Sequence, residues 1–232
     1  MKLLSRKTAE VRSALVALLC LGALTAASPS AHAYVYSSNN QWASWSSGPY
    51  TVYNDVWNPS GGSEWLNIYN SGSWNVNANF WGGGIKSYPN TSYSPWNSIW
   101  GYSWGAFSVS TPGGSQYDCS FDCWTDHGDE IMVWENWSNG VAPAGGVKYY
   151  NQYINGTNWN VWQGWVGHNC VSFTRNNQTW STTEGPHAMM QWALQHGLIA
   201  GSRVSQIQFG FEVTNTSGWQ TFSSNWYSAG WG

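Results

Sequence analysis

The sequence predicts an all-β domain, a sandwich or barrel of many short antiparallel strands. Apolar and polar residues alternate with period two in runs of five to eight residues. Gly, Ser and Asn turns separate these runs along the whole chain, with no fixed-period repeat and no Pro-rich linker. Composition removes the other classes: of 232 residues, 20 are Trp and 26 Gly, and only 8% are charged. Disordered chains lack aromatics, coiled coils need charged helix formers, and nucleic-acid binders need a basic surface, whereas here 8 Lys and Arg stand against 11 Asp and Glu.

The amino terminus reads differently from the rest. Lys2, Arg6, Lys7 and Arg12 precede an apolar run from Ala14 to Ala27, too short to span a bilayer, and Ala31-His32-Ala33 supplies a small-residue cleavage pattern. Residues 1–33 are therefore expected to be a secretory signal peptide, and 34–232 a single secreted domain with no membrane attachment once the signal is removed. That domain keeps four basic and ten acidic residues and is long enough for one good core.

Strand faces follow from parity. In 50–57, Val52 and Val56 share one face, and Tyr53, Asp55 and Trp57 the other. Trp74, Val76, Ala78 and Phe80 oppose Asn75, Asn77, Asn79 and Trp81; Ile207, Phe209, Phe211 and Val213 alternate with Gln208, Gly210 and Glu212. The apolar faces suit a sheet-on-sheet core. The Asn, Gln, Trp and carboxylate faces are expected to line a cleft. One helix is predicted: Gly185-Pro186 starts it, Ala188, Met189, Trp192 and Ala193 form its stripe, and Gly197 ends it.

Cys119 and Cys123, in an exported chain, are expected to close a small disulfide loop and leave Cys170 unpaired. Three cysteines with scattered His127, His168, His187 and His196 match no metal-ligand spacing, so no metal or cofactor is expected.

Abundant Trp alongside Asn-rich strand faces suits a polysaccharide groove, because indole faces stack on sugar rings while amides bond the hydroxyls. Of the ten carboxylates, Asp126, Asp129 and Glu184 fall in turns, Glu64 at a loop edge, and Glu135 has the opposite parity from Glu130. Glu130 and Glu212 stand apart, since each interrupts an otherwise apolar strand. Parity turns Glu130, Met132 and Trp134 away from the core, and Glu212 likewise. Two glutamates on rigid strands in an aromatic groove are what glycoside hydrolysis requires. If Thr125–Asp129 is a five-residue hairpin loop, Trp124 faces Glu130 and Asp122 faces Met132, which sets Asp122 diagonal to Glu130. Two further readings are a non-catalytic carbohydrate-binding sandwich, which has no use for the Glu130/Glu212 pair, and a jelly-roll xylanase.

Six strings, Asn40-Gln-Trp-Ala43, Tyr50-Thr-Val-Tyr-Asn-Asp-Val-Trp57, Ile85-Lys-Ser-Tyr-Pro-Asn90, Phe121-Asp-Cys-Trp124, Glu130-Ile-Met-Val-Trp134 and Gln208-Phe-Gly-Phe-Glu212, run in the order found in glycoside hydrolase family 12, which the chain resembles. The resemblance implies a β-jelly roll of two antiparallel sheets and a monomeric retaining endo-β-1,4-glucanase acting on cellulose-like, mixed-linkage or xyloglucan chains. Glu130 falls on its nucleophile, Glu212 on its acid/base, Asp122 on its auxiliary acid and Met132 on the methionine beside the nucleophile. Trp57, Trp42 and Trp81 match groove aromatics, and Pro143 matches a loop bordering the groove; Asp55 and Trp134 share faces with these groups. The chain departs from the family in having Val213 where a proline is common, and no cysteine for an amino-terminal disulfide.

Overall fold

The computed structural model describes residues 33–138 and 140–231; the expected signal peptide therefore lies, apart from Ala33, outside the described residues. In chain order the strands are β1 (Tyr36–Ser38), β2 (Ser44–Ser47), β3 (Tyr50–Tyr53), β4 (Gly62–Asn70), β5 (Ser73–Phe80), β6 (Asn90–Tyr93), β7 (Asn97–Ser98), β8 (Ser103–Ser110), β9 (Gln116–Thr125), β10 (Glu130–Trp137), β11 (Gly146–Ile154), β12 (Thr157–Trp165), β13 (Asn169–Arg175), β14 (Ser181–Glu184), β15 (Arg203–Asn215) and β16 (Gln220–Trp231). They form two sheets, β1-β4-β5-β16-β8-β14 and β11-β12-β13-β10-β9-β15-β6-β3-β2, with β7 beside β15.

The apolar parity sets meet between the sheets. Val52, Leu66, Val76, Phe80, Phe209 and Phe211 are fully buried, each worth roughly 1.5–3 kcal/mol of transfer free energy. Phe209 stacks on Tyr227 at 5.1 Å and lies 4.8 Å from Phe121, bridging the layers. Phe121 reaches its place because Gly105 of β8 has no side chain: a Cβ there would stand 2.3 Å from the ring. The one α-helix among the described residues, α1 (Pro186–Gln195), starts and stops where expected, buries Met189, Met190 and Ala193, and is followed by Gly197 at φ 66°.

Three expectations need correction. Asn75, Asn77 and Asn79 line no cleft; with Trp65, Asn67 and Thr221 they form the outer face of the six-stranded sheet, where Asn67 donates to Asn75 at 3.1 Å. The sheets are antiparallel except for one pair, β10 and β13, which run parallel with Glu130 opposite Cys170.

The third concerns Cys119 and Cys123, which form no disulfide: both are free and buried. They stand four residues apart on one extended strand, about 13 Å at the usual rise, beyond the roughly 4.4–6.8 Å that a disulfide bridges. Loop closure between them would need a turn, and Ser120-Phe121-Asp122 is instead in the middle of β9.

Candidate active site

A cleft of about 650 Å³ opens on the outer face of the ten-stranded sheet, over β9, β10 and β15. Its floor is built by parity. Asp118, Asp122 and Trp124 of β9, Glu130, Met132 and Trp134 of β10, and Gln208 and Glu212 of β15 all line it. Register brings them together: Glu130 faces Trp124 and Met132 faces Asp122 across β9/β10, as the five-residue loop requires, while Gln208 faces Asp122 and Glu212 faces Asp118 across β9/β15.

The four carboxyls form two hydrogen-bonded pairs. Asp122 is pushed well up by burial and by the adjacent Glu130 charge, and its hydrogen bond with Glu130 raises it further, so Asp122 donates that bond and Glu130 is its acceptor. Glu212 is likewise held well above the carboxylate range by burial, then by Asp118, whose hydrogen bond it donates. Asp118 is raised to about 7 by burial, opposed by the bonds it accepts from Glu212 and, at 2.8 Å, from Ser120 Oγ. The arrangement thus separates one proton-accepting glutamate from one proton-bearing glutamate. Beneath them Tyr88 is fully buried, its hydroxyl pushed up by burial and by Asp122, Glu212 and Asp118.

Among the predicted groove residues, Asp55, Trp57, Met132, Trp134 and Pro143 line the cleft; Trp42 and Trp81 are exposed and lie outside its lining. Trp57 is 47% exposed, and its Nε1 donates to Asp55 Oδ1 at 2.8 Å from a backbone in which Asp55 takes φ 49°. Trp134 is buried beneath the cleft, and its Nε1 is enclosed with no protein partner.

Several site residues escaped sequence reasoning. Asp118 could have been found, for it shares the parity of Asp122 on one strand. His168 and Cys170 could not. His168 Nε2 lies 2.9 Å from Glu130 Oε2, its ring 4.8 Å from that of Trp124, and Cys170 is a hydrogen-bond neighbour of Glu130, its thiol pushed up by burial and by that charge. Both arrive through the parallel β10/β13 pairing, which no local pattern announces. The carboxylates assigned to turns and edges are also corrected: Glu64, Asp129 and Glu184 are buried. Glu64 accepts from Ser87 Oγ at 3.0 Å; Asp129 accepts from Ala200 N, Gly201 N and Asn169 Nδ2; Glu184 pairs with Arg175. Among the described residues no group of three or more His, Cys, Asp or Glu is arranged to hold a metal, and no helix is long and apolar enough to cross a membrane.

The sequence matches no protein-family model and no curated protein. Solved structures do match. The xyloglucanase domain of NopAA, a type three effector from Sinorhizobium fredii solved with cellobiose, is 27% identical, with a TM-score of 0.81 over 85% of this chain and 99% of that one. Endoglucanase 3 of Trichoderma harzianum, from family GH12, is 25% identical, with a TM-score of 0.75 over 85% and 97%. The native family 12 xyloglucanase of Bacillus licheniformis is 20% identical, with a TM-score of 0.74 over 85% and 100%.

Proposed function

From a chain that has the fold of glycoside hydrolase family 12, we infer an endo-β-1,4-glucanase that hydrolyses internal bonds of cellulose-like, mixed-linkage or xyloglucan chains with retention of anomeric configuration. The observation that carries the reading is the division of the cleft's four carboxyls into an acceptor, Glu130 with Asp122, and a donor, Glu212 with Asp118. A protein that only bound sugar would need neither buried pair.

In the first displacement Glu130 Oε1 attacks the anomeric carbon. The glycosidic bond breaks with its electron pair going to the leaving oxygen, which takes the proton of Glu212. In the second, Glu212 removes a proton from water, the water oxygen bonds to the anomeric carbon, and the Glu130 ester opens. Asp122 donates its proton as a hydrogen bond to the nucleophile and so keeps a second negative charge away from it. Trp57 supplies a stacking face at the cleft. Residues 1–33 would direct export, with the mature chain beginning at Tyr34 and acting as a monomer on extracellular polysaccharide.

Proton NMR of the first product from a β-glucan tests the chemistry: the β-anomer is expected, and initial formation of the α-anomer refutes retention. A panel of β-glucans, xyloglucan and xylan tests the substrate, with xylan as the sole substrate pointing to the jelly-roll xylanase instead. Amino-terminal sequencing of secreted protein tests the export segment; a chain still starting at Met1 overturns it.

A further inference from the structure

We propose that His168 is a positioning residue for the second displacement, its Nε2–H stabilising the charge that returns to Glu130 when the sugar ester opens. The proposal rests on the glucanase reading and deepens it. His168 Nε2 lies 2.9 Å from Glu130 Oε2, and an ionised carboxylate only accepts hydrogen bonds, so this nitrogen carries the proton whether the ring is neutral or cationic. The contact falls on Oε2, the oxygen that stays out of the new bond when Oε1 attacks. The placement is built from both sides. Asn169, next to His168, donates to Asp129, next to Glu130, at 2.8 Å, and also to Leu198 O at 2.8 Å. Trp124 packs on the imidazole at 4.8 Å. The other titratable groups facing the nucleophile are Asp122, Cys170 and, farther off, Asp118 and Glu212; no Lys or Arg lines the cleft.

The chemistry gives this bond opposite effects on the two steps. Nucleophilic attack requires Glu130 as a carboxylate, to which the His168 bond is charge-assisted; attack spends that charge and weakens the bond. In the ester intermediate the acceptor is neutral. As the bond from the anomeric carbon to Oε1 breaks, its electron pair returns to the carboxylate, a proton of the attacking water passes to Glu212, and the His168 bond regains its strength in the transition state. His168 therefore assists opening of the ester and does not assist its formation.

The test uses an aryl β-cellobioside whose phenol leaves without protonation, so that ester opening limits turnover. His168→Phe keeps a ring against Trp124 but has no donor; His168→Gln restores an N–H. His168→Phe should lower kcat about tenfold or more, lower KM in proportion, leave kcat/KM at or above wild type, and release a burst of one phenol per active site; His168→Gln should recover most of kcat. Should His168→Phe fail to fold, His168→Ala carries the same expectation. A fall of kcat/KM together with kcat at unchanged KM overturns the proposal, as does equal behaviour of the Gln and Phe variants. A wild type that releases no phenol, or that inverts, overturns the glucanase reading and this proposal with it, whereas the variant results overturn the proposal alone.

Discussion

Strand β10 carries a buried glutamate on each face, and the two live under different rules. Glu135, on the core side, is fully buried and bonded at 2.9 Å to Arg175, which also bonds Glu184 at 2.9 Å and lies 5.3 Å from the Trp159 ring centre. Glu184 accepts in addition from Asn155 Nδ2 at 2.6 Å and Gly185 N at 3.0 Å. Glu130, on the cleft side, has no guanidinium or ammonium beside it; its partners are a protonated Asp122, an imidazole and a thiol. Glu135 and Glu184 share a fixed cation, Arg175, whereas the site carboxyls have only protons to compensate them, and protons can move.

Glu130→Gln breaks the contrast most severely on the cleft side. Turnover of glucan is expected to fall at least about 10³-fold, since the group that forms the covalent bond is gone, with the thermal midpoint and oligosaccharide binding retained. Robust activity would remove Glu130 from the nucleophile's place. Arg175→Met should do the reverse. It removes the cation shared by two buried glutamates, Glu135 and Glu184, and is expected to cost about 3–5 kcal/mol of stability in urea titrations, with kcat per folded molecule unchanged; lost activity at unchanged stability would mean that the core cluster serves the chemistry.

Finer changes sharpen the comparison through pH. The acid Glu212 works only while protonated, and Asp118 helps to hold its proton on. Asp118→Asn removes that like charge, lowers the affinity of Glu212 for its proton, and should move the basic limb of kcat/KM to lower pH. An unmoved limb would separate the two groups. Glu135→Gln acts on stability alone. Burial and the neighbouring Glu184 push Glu135 up to about 8 against the pull of Arg175, so the folded state keeps a proton that the unfolded chain has released. Wild-type stability should accordingly fall as pH rises from about 4.5 toward 8, by up to ~1.4 kcal/mol per pH unit, and the Gln variant should show a flatter profile. Parallel profiles would show that Arg175 already neutralises Glu135.

The same contrast shows what the sequence could reveal. Period-two alternation separated Glu130 from Glu135, and one loop length was enough to set Trp124 against Glu130 and Asp122 against Met132. The helix was legible because Gly185, Pro186 and Gly197 punctuate it. What stayed hidden arrives across strands distant in sequence: Arg175 and His168 both reach β10 from the β13 region, 40 and 38 residues from their partners. Parity also could not say which Asn- and Trp-bearing faces would become cleft. Asn75, Asn77 and Asn79 share their pattern with the groove strands, yet they face outward from the other sheet, because sheet membership is decided by pairing over the whole chain. The disulfide expectation failed for a local reason, as Cys-x-x-x-Cys closes a loop only where the chain turns.

That last correction has a consequence for handling the protein. Cys119 and Cys123 are fully enclosed in the core, and burial pushes both thiols well above their ordinary range. Since the thiolate is the reactive form, alkylating reagents and mild oxidants meet no nucleophile there while the domain stays folded. The two sulfurs therefore act as an internal clock for unfolding, labelled only as fast as the sandwich opens. Within the described residues, no cross-link stands between a reducing buffer and the native state.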